Sequence, residues 1–507
     1  MSGPTRVLGK VLVANRGEIA VRILRACREL ELPSVAVYSD ADRTALHVRH
    51  ADEAYHIGPP PSRESYLDIE RVLDAARRSG AGAVHPGYGF LAENADFARA
   101  CEDAGLIFIG PTSRTIALMG EKTSARRAAV DAGLPVVPGT LEPVSGPDDI
   151  EREAARIGYP LMLKAAAGGG GKGLRLVQRS GELAGAVARA RSEARSAFND
   201  DSLYVEKAIV RPRHIEVQVL ADQHGGVVHL FERECSIQRR HQKVIEESPS
   251  PFVTPELRAH MGRLAVDLVR RTGYVNAGTL EFLVDQEREP YFLEMNTRLQ
   301  VEHPVTEMVT GVDIVRLQLE IAAGCRLPFV QDDLAQRGHA IECRVYAEDP
   351  DQGFLPSPGR IQALRVPGGP GVRDDTGVYE GYEVPVHYDP LISKLVAHGA
   401  DRPAALQRMR RALREYKVLG IKTTLPFFDR VLRHPDFVAG EVDTSFIERV
   451  AEQDGSATFR PWRAAVALAA VAAFRARRAP RVTAQEGSGD VSGWRRHGWR
   501  RAVGDRL

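Results

Sequence analysis

Residues 161–177 read LMLKAAAGGGGKGLRLV, a run of glycines between two apolar segments. The outer segments, LMLKA and LRLV, have the length and composition of β-strands. Because glycine has no Cβ, the backbone N–H groups of 168–173 can approach phosphate oxygens, and Lys164 and Lys172 would meet the same anion. The stretch therefore predicts a hairpin lid over a phosphate-bearing ligand, with a flexible surface turn as the alternative.

The glycine run is not a Walker A loop. Gly173 follows Lys172 where that motif requires Ser or Thr, and the next residues favour a strand rather than a helix. A dinucleotide-binding fingerprint is also absent, because no G-x-G-x-x-G follows the apolar strand at 7–13. The hairpin lid remains the phosphate-binding element that the sequence favours.

Upstream of the lid, the chain reads as alternating strands and helices. A helical pattern at 19–30 follows the strand at 7–13, and another apolar strand follows at 34–38. This alternation predicts a parallel sheet with helices on both faces. We expect a multidomain protein of the α/β and α+β classes, with an N-terminal α/β parallel-sheet domain, a central domain with a mobile glycine-rich lid and a C-terminal mixed β/α domain.

The expected domain bounds follow these changes of pattern: 1–113, 114–334 with a lid subdomain at about 137–209, 335–450, and a tail at 451–507. All three Trp lie in the tail, and residues 456–507 hold 11 Arg against three acidic residues. We interpret the tail as a linker or docking segment, with nucleic-acid binding as the less favoured alternative.

Composition limits the class of protein. The chain has 507 residues, which suggests about three domains. With 68 Lys and Arg against 67 Asp and Glu, it does not resemble a general nucleic-acid binder. Its five Cys form no C-x-x-C pair, and its longest apolar run, at 464–474, is too short to cross a bilayer. The N-terminus leaves no room for a signal peptide. We expect a cytoplasmic protein without nucleic-acid or membrane partners.

Two glutamates face each other in a predicted β-hairpin. Segments 278–284 (GTLEFLV) and 290–294 (PYFLE) flank a polar turn, and symmetric closure places Glu281 opposite Glu294. Asn296 shares that face if the second strand continues. Opposed carboxylates repel unless a hard cation lies between them, and such oxygen ligands suit Mg²⁺ or Mn²⁺ with nucleotide phosphates. The alternative is a solvated strand face with two unrelated glutamates.

Two further stretches concentrate polar groups. Residues 297–304 read TRLQVEHP, and residues 234–243 read ECSIQRRHQK. Taken singly, each is best interpreted as solvated surface. Together with the lid and the carboxylate pair, they indicate nucleoside-triphosphate chemistry in which Arg and Lys hold an anionic co-substrate.

Six long blocks are specific to one family. They are HPGYGFLAEN at 85–94, KAAAGGGGKG at 164–173, RHIEVQVLAD at 213–222, ERECSIQRRHQKVIEE at 232–247, EMNTRLQVEHPVTE at 294–307 and FLPSPGRI at 354–361. From residue 7 to about 449 the chain resembles biotin carboxylase, of the ATP-grasp superfamily. The resemblance implies a central ATP-grasp domain and a ligase reaction. In that reaction ATP, bicarbonate and biotin give carboxybiotin, ADP and phosphate through carboxyphosphate.

The resemblance also implies roles for individual residues. The catalytic residues would be Glu302, which takes the bicarbonate proton, Arg344, which steadies the biotin enolate, and Lys243 and Arg298. Bicarbonate would be bound by Lys243, Arg298 and the backbone at Val301. The metal ligands would be Glu281, Glu294 and Asn296, with two Mg²⁺ or Mn²⁺ ions expected. The ATP-binding residues would be Lys122, Lys164, Gly169, Gly170, Gly171, Glu206, Lys207, Ile209, His214, Gln238, His241, Glu281 and Glu294.

The resemblance further implies partners. No Met-Lys-Met biotin-attachment site occurs in the sequence, so we expect biotin on a separate biotin carboxyl carrier protein, together with carboxyltransferase subunits and a homodimeric state. Acetyl-CoA carboxylase is the expected holoenzyme, and propionyl-CoA, methylcrotonyl-CoA and pyruvate carboxylases are the alternatives. The rival interpretations are a carbamoyl-phosphate synthetase domain and a catalytically silent scaffold protein.

Overall fold

The computed structural model describes residues 7–140, 142–144, 146–166, 174–198, 200–240 and 242–454. Some sequence predictions fall on other residues. The lid glycines Gly169, Gly170 and Gly171, the nucleotide contact His241 and the tail beyond residue 454 lie outside the described residues.

A five-stranded parallel sheet forms the N-terminal region, as the alternating pattern predicts. Its elements are β1 (Lys10–Val13), α1 (Gly17–Glu29), β2 (Ser34–Ser39), α2 (Leu46–His50), β3 (Glu53–Gly58), α3 (Ile69–Ser79), β4 (Ala81–His85), α4 (Ala95–Asp103), β5 (Ile107–Phe108) and α5 (Ser113–Gly120). The strand order is β3-β2-β1-β4-β5, and every pairing is parallel.

The central region holds two separate groups of strands. Its elements are α6 (Lys122–Asp131), α7 (Pro147–Ile157), β6 (Leu161–Ala165), β7 (Leu174–Val177), α8 (Leu183–Phe198), β8 (Leu203–Lys207), β9 (Arg213–Ala221), β10 (Val227–Arg239), β11 (Gln242–Ser248), α9 (Pro255–Thr272), β12 (Asn276–Val284), β13 (Pro290–Asn296), α10 (His303–Thr310) and α11 (Ile314–Ala322). Strands β6 and β7 coincide with the two strands that flank the predicted lid. With β8 they form a three-stranded antiparallel sheet in the order β7-β6-β8.

The C-terminal region is the mixture of strands and helices that the sequence predicts. Its elements are β14 (His339–Tyr346), β15 (Glu348–Asp349), β16 (Leu355–Pro356), β17 (Gly359–Arg360), β18 (Ala363–Arg365), β19 (Val372–Thr376), β20 (Glu383–Val384), β21 (Leu391–Gly399), α12 (Arg402–Glu415), β22 (Lys417–Leu419), α13 (Leu425–Val431), α14 (Pro435–Ala439) and α15 (Phe446–Asp454). Helix α12 begins where Asp401 caps it, since its carboxylate accepts a hydrogen bond of 2.8 Å from the Ala404 backbone N–H.

One eight-stranded sheet joins the central and C-terminal regions. Its order is β13-β12-β9-β10-β11-β14-β21-β19. Strand β10 continues past the apolar segment 227–231 to Arg239, and its residues 232–238 are buried. The interpretation of 234–239 as solvated surface is therefore wrong for most of that stretch. Five charged residues of β10 and β11, Glu232, Arg233, Glu234, Glu246 and Glu247, are buried because they belong to the middle of a wide sheet.

The start of helix α1 lies against the end of β19. Gly17 has a φ of +67°, a left-handed conformation that favours glycine. A Cβ on Gly377 would come within 2.6 Å of the Glu18 backbone nitrogen, so only glycine allows the two segments to approach this closely. The approach fixes the backbone of Glu18, a buried residue.

Three large apolar clusters form most of the core. One lies between the N-terminal sheet and α11, and includes Val11 and Leu319. A second lies beneath α9 and includes Met261 and Phe282, and a third fills the C-terminal region. None of the helices among the described residues is long and apolar enough to cross a membrane.

Asp374 on β19 is poorly solvated. Ser393 donates a hydrogen bond to its Oδ1, but its enclosed Oδ2 finds no partner among the described residues. Burial first, and then the charge of Asp375, raise the pKa of Asp374 to about 7, although Tyr416 and Arg25 act in the opposite direction. The carboxyl group of Asp374 holds its proton more tightly in the folded protein than in the unfolded chain. The stability that this difference contributes is therefore lost as pH rises from about 4 towards 7.

We expect Asp374→Asn to stabilise the protein more at high pH than at low pH. The gain in the free energy of unfolding should grow by about 2 kcal/mol between pH 4.5 and pH 8, as measured by urea denaturation. Asp375→Asn is the matched control, because Arg373 lowers the pKa of Asp375 against the effect of burial. Loss of the Asp375 carboxylate should therefore destabilise the protein at both pH values. A gain from Asp374→Asn that is equal at the two pH values would contradict the prediction.

Candidate active site

Strands β12 and β13 place Glu281 directly opposite Glu294, which is the pairing that a symmetric hairpin predicts. A register shift between Glu281 and Phe282 offsets the pairs nearer the turn. Strand β13 continues to Asn296, as required if Asn296 is to share this face. Glu281 is buried, whereas Glu294 is exposed.

The donor atoms of this hairpin fit a hard divalent cation. Enclosure by the surrounding protein raises the pKa of Glu294, although solvent still reaches its side chain, and the negative charge of Glu281 raises it further. His214 and Lys243 act in the opposite direction and offset part of this rise. Two carboxylates with a neighbouring amide oxygen on Asn296 form an oxygen-only donor set of the kind that Mg²⁺ and Mn²⁺ prefer.

Lys243 lies at the centre of the buried charges. Its ammonium is 2.5 Å from a carboxylate oxygen of Glu216, 2.7 Å from Glu281 and 2.8 Å from Glu302. Burial opposes a charged lysine, but these three carboxylates hold the pKa of Lys243 well above its usual value. Arg233, which is fully buried, pairs with the other oxygen of Glu216. The lysine is therefore a permanent cation in a site enclosed by negative charge.

Glu302 stands between two cations. Its Oε1 accepts a hydrogen bond from Lys243, and its Oε2 accepts one of 2.9 Å from Nη2 of Arg344. Burial by itself would raise its pKa, but Lys243 and then Arg344 lower the pKa of Glu302 well below the usual range. The carboxylate is ionised as a result, which is the state in which it can accept a proton.

A second carboxylate supports Arg344 from the other side. Nε of Arg344 donates to Glu246 at 2.6 Å, and Glu246 pairs across the ladder with Glu342. The Glu342 carboxylate is fully buried, with no hydrogen-bond partner among the described residues. Burial and then the charge of Glu246 raise the pKa of Glu342 well above its usual value. Arg344 is thus oriented by Glu246 and Glu302.

Arg298 is held at the end of β13 by two regions of the chain. Its Nε donates to Glu93 of the N-terminal region at 2.8 Å. Its Nη2 and Nη1 donate to Asn296 at 2.9 Å and to Gln300 at 3.0 Å. Glu93 also accepts a hydrogen bond of 3.0 Å from the Thr297 backbone. The orientation of this guanidinium therefore depends on how the N-terminal and central regions pack.

His214 connects the carboxylate hairpin to β10. One ring nitrogen lies 3.0 Å from Glu281, and the other lies 2.9 Å from the amide nitrogen of Gln238. The Gln238 amide also donates to the carbonyl of Cys235 at 2.9 Å. His214 and Gln238, predicted as nucleotide contacts, therefore lie beside the carboxylate hairpin.

The other predicted nucleotide residues lie around β6 and β8. Lys164 forms an ion pair with Glu206, whose second oxygen is 2.5 Å from Arg126. Burial lowers the pKa of Lys122, while the negative charges of Glu294 and Glu206 oppose that change. Lys122 is therefore near both the carboxylate hairpin and the Lys164–Glu206 ion pair. Lys207 points elsewhere, because its ammonium donates to the carbonyls of Gly158 and Tyr159 at 3.2 and 2.6 Å. Ile209 follows β8 and is half-buried.

Direct contacts join six of the predicted residues into one group. Lys243, Glu281, Glu302, Arg344, His214 and Gln238 form a continuous chain of hydrogen bonds and ion pairs. Four participants were not singled out from the sequence: Glu216, Glu246, Gln300 and Glu93. Gln300 donates to Glu281 at 3.2 Å. Glu216 could have been identified from its position two residues after His214 on a predicted strand, because that spacing places both side chains on one face.

Models of three protein families match successive parts of the chain. They are the biotin carboxylase N-terminal domain at 7–116, the ATP-binding domain of the carbamoyl-phosphate synthase L chain at 121–330, and the biotin carboxylase C-terminal domain at 342–449. The chain is also 53% identical over 438 residues to biotin carboxylase from Halalkalibacterium halodurans, covering 86% of this chain and 97% of that protein.

The chain belongs to the biotin carboxylase family. It is therefore an ATP-dependent carboxylase ligase. The two flanking models exclude a carbamoyl-phosphate synthetase as the family, although the central model is named for one. The chain is also 54% identical to a pyruvate carboxylase component from Methanothermobacter thermautotrophicus, over 87% of this chain and 90% of that protein.

A solved structure of the same family has the same fold. It is the biotin carboxylase domain dimer of Hydrogenobacter thermophilus 2-oxoglutarate carboxylase, crystallised with MgADP, ADP and bicarbonate. The TM-score is 0.83 at 49% sequence identity, covering 87% of this chain and 97% of that chain. The predicted three-part architecture with an ATP-grasp centre is thereby confirmed.

We expect Glu302→Gln to keep nucleotide binding and to slow bicarbonate-dependent ATP cleavage by about 10² to 10⁴-fold, because an amide cannot accept the proton. The measurements are nucleotide binding by calorimetry and ADP release in the presence of bicarbonate. Glu232→Gln is the matched control, since Glu232 is also buried and ion-paired, to Arg258 at 2.7 Å, but has no contact with the site residues. Turnover close to normal in Glu302→Gln would remove Glu302 from the mechanism.

We expect Glu294→Gln to raise the Mg²⁺ concentration needed for half-maximal ATP cleavage by about tenfold or more, because one of two anionic ligands is lost. A magnesium titration at saturating ATP measures this. Glu289→Gln, at the exposed turn of the same hairpin, should leave the titration unchanged. A normal magnesium requirement in Glu294→Gln would show that the hairpin is not the metal site.

Proposed function

We propose that this chain carboxylates biotin on a carrier protein with ATP and bicarbonate, through carboxyphosphate, as the first half-reaction of an acyl-CoA carboxylase. The observation that supports this most directly is the ionised Glu302 between Lys243 and Arg344. It places a proton acceptor beside two cations, next to a carboxylate hairpin suited to a metal–nucleotide complex. Bicarbonate needs both a base and cations before it can act as a nucleophile.

Bicarbonate would bind where Lys243, Arg298 and the backbone at Val301 meet. The two cations offset the charge of the anion, and Glu302 takes its proton. The nearest oxygen of Glu302 is 2.8 Å from the Lys243 ammonium, so base and cation reach the same small ligand. Deprotonation under these fixed charges would convert a weak nucleophile into one that attacks the γ-phosphoryl group of ATP.

The nucleotide would lie between the carboxylate hairpin and the strands of the lid. Lys122 and Lys164 would neutralise its phosphates, and Glu281, Glu294 and Asn296 would hold Mg²⁺ or Mn²⁺. A bound metal ion would neutralise charge on the transferred phosphoryl group. The residues implied for the adenosine side are Glu206, Lys207, Ile209, His214, Gln238 and His241, and the lid backbone at Gly169, Gly170 and Gly171 would cover the phosphates.

Arg344 is the residue proposed to act on biotin. Carboxyphosphate would release CO₂ and phosphate, and the phosphate would take the proton from the biotin ureido nitrogen. Negative charge then develops on the ureido oxygen, where a fixed guanidinium stabilises it. Hydrogen bonds from Arg344 to Glu246 and Glu302 fix its orientation in advance of the reaction.

Acetyl-CoA carboxylase is the proposed assembly, with a biotin carboxyl carrier protein and carboxyltransferase subunits, acting in the cytoplasm. The relatives act in different assemblies, since one belongs to a pyruvate carboxylase and the other is a domain of 2-oxoglutarate carboxylase. The dimer named for the Hydrogenobacter structure supports a homodimer here.

The proposal is tested by ATP cleavage with and without bicarbonate, and with and without free biotin. We expect cleavage that depends on bicarbonate, and carboxybiotin formed in proportion to ADP. Cleavage that ignores bicarbonate would exclude biotin carboxylation, and an inactive but nucleotide-binding protein would favour the silent-scaffold interpretation.

We expect Arg344→Ala to reduce carboxybiotin formation by about 10²-fold or more while nucleotide affinity stays within about twofold, because the arginine acts on the biotin oxygen rather than on ATP. Carboxybiotin yield and nucleotide binding are the two measurements. Arg402→Ala removes a half-buried arginine, paired with Glu247 at 2.7 Å, and controls for loss of such a pair. Equal losses of both properties in Arg344→Ala would mean that Arg344 is structural.

A further inference from the structure

Lys394 on β21 is a lysine with no exposed surface. Lysine is almost never fully buried unless it is paired, because removing its charge from water is costly. A methionine of similar length would fill the same space without that cost. The partners of Lys394 therefore indicate why a charge is present there.

The partners come from three separate parts of the chain. The Lys394 ammonium donates to the backbone carbonyl of Val301 at 3.0 Å and lies 3.2 Å from Oε2 of Glu18 on α1. It also lies 5.6 Å from the centre of the Tyr88 ring in the N-terminal region. The lysine thus joins the C-terminal sheet and the N-terminal helix to the segment that precedes Glu302.

The acidic partner is itself fixed in place. Glu18 is the second residue of α1, where the conformation of Gly17 and the close approach of Gly377 determine the backbone. Burial raises the pKa of Glu18 to about 7, although the charge of Lys394 opposes that rise. Among the described residues, Lys394 is the cation within ion-pair distance of Glu18.

The carbonyl that Lys394 holds belongs to the peptide between Val301 and Glu302. A peptide unit is planar and trans, so fixing its C=O also fixes the plane and the direction of the Glu302 N–H. The side chain of Glu302 extends towards Lys243 and Arg344 and accepts a hydrogen bond from each. This hydrogen bond from Lys394 therefore fixes the backbone at the junction between Val301, the proposed bicarbonate-binding residue, and Glu302, the proposed base.

We propose that Lys394, paired with Glu18, is a positioning residue that holds the Val301–Glu302 peptide in the orientation required for bicarbonate binding. This inference rests on the proposed function. Lys394 and Glu18 lie outside the central domain, and they would affect bicarbonate binding through Val301 without contacting the bicarbonate itself. The nucleotide contacts lie on other elements, so the effect should be specific to bicarbonate.

The test compares Lys394→Met with the unsubstituted full-length protein in ATP cleavage. We expect the KM for bicarbonate to rise about tenfold or more and kcat to fall, while the KM for ATP stays within about twofold. Lys10→Met is the matched control, because Lys10 also binds one glutamate, Glu53 at 2.5 Å, and one backbone carbonyl, Ser79 at 2.7 Å, but lies away from the site. It should leave both KM values unchanged.

Glu18→Gln provides a second, milder variant that keeps the size of the side chain. We expect the KM for bicarbonate to rise about threefold or more, again without a change for ATP. If Lys394→Met does not fold, Glu18→Gln decides the question. A bicarbonate KM that stays normal in either folded variant, or that rises in step with the ATP KM, overturns the role of Lys394. Absence of bicarbonate-dependent cleavage in the unsubstituted protein would instead overturn the proposed function.

Discussion

The ammonium of Lys243 lies within 2.8 Å of three carboxylates, and the rest of the site is arranged around that cluster. One cation cannot balance three anions, so further cations are needed close by. Arg233 pairs with Glu216, and Arg344 pairs with Glu302. The requirement for charge balance in a buried place explains why acidic and basic side chains alternate through the site.

The wide sheet explains how so many charges come to lie inside the protein. Strands β9, β10, β11, β12 and β14 are neighbours in it, and alternate residues of each strand point to one face. Glu216, Lys243, Glu281 and Arg344 come from four of these strands and meet on that face. Glu302 reaches them from the start of α10. A rigid sheet therefore holds groups that differ by more than a hundred positions in sequence.

The sequence predicts the parts of this arrangement that depend on local pattern. The hairpin register that opposes Glu281 and Glu294 follows from strand length and a symmetric turn, and the strands on either side of the glycine run follow from their length and composition. The burial of 234–239 did not follow, because a charged strand reads as solvated surface until its neighbours in the sheet are known. The contact between Glu93 and Arg298 spans 205 positions, and no local signal encodes such packing. Most assignments of roles came from family resemblance rather than from spacing.

The pairing of β11 with β14 has a consequence for dividing the chain into pieces. The two strands exchange ladder hydrogen bonds across the expected boundary at 334/335, from Ile245 opposite Cys343 to Ser248 opposite Ala340. A fragment that stopped at that boundary would leave β11 as a bare edge with unpaired backbone N–H and C=O groups, which is a template for aggregation. The three-stranded lid sheet has no strand of the eight-stranded sheet as a neighbour among the described residues, so excising it would interrupt no such ladder.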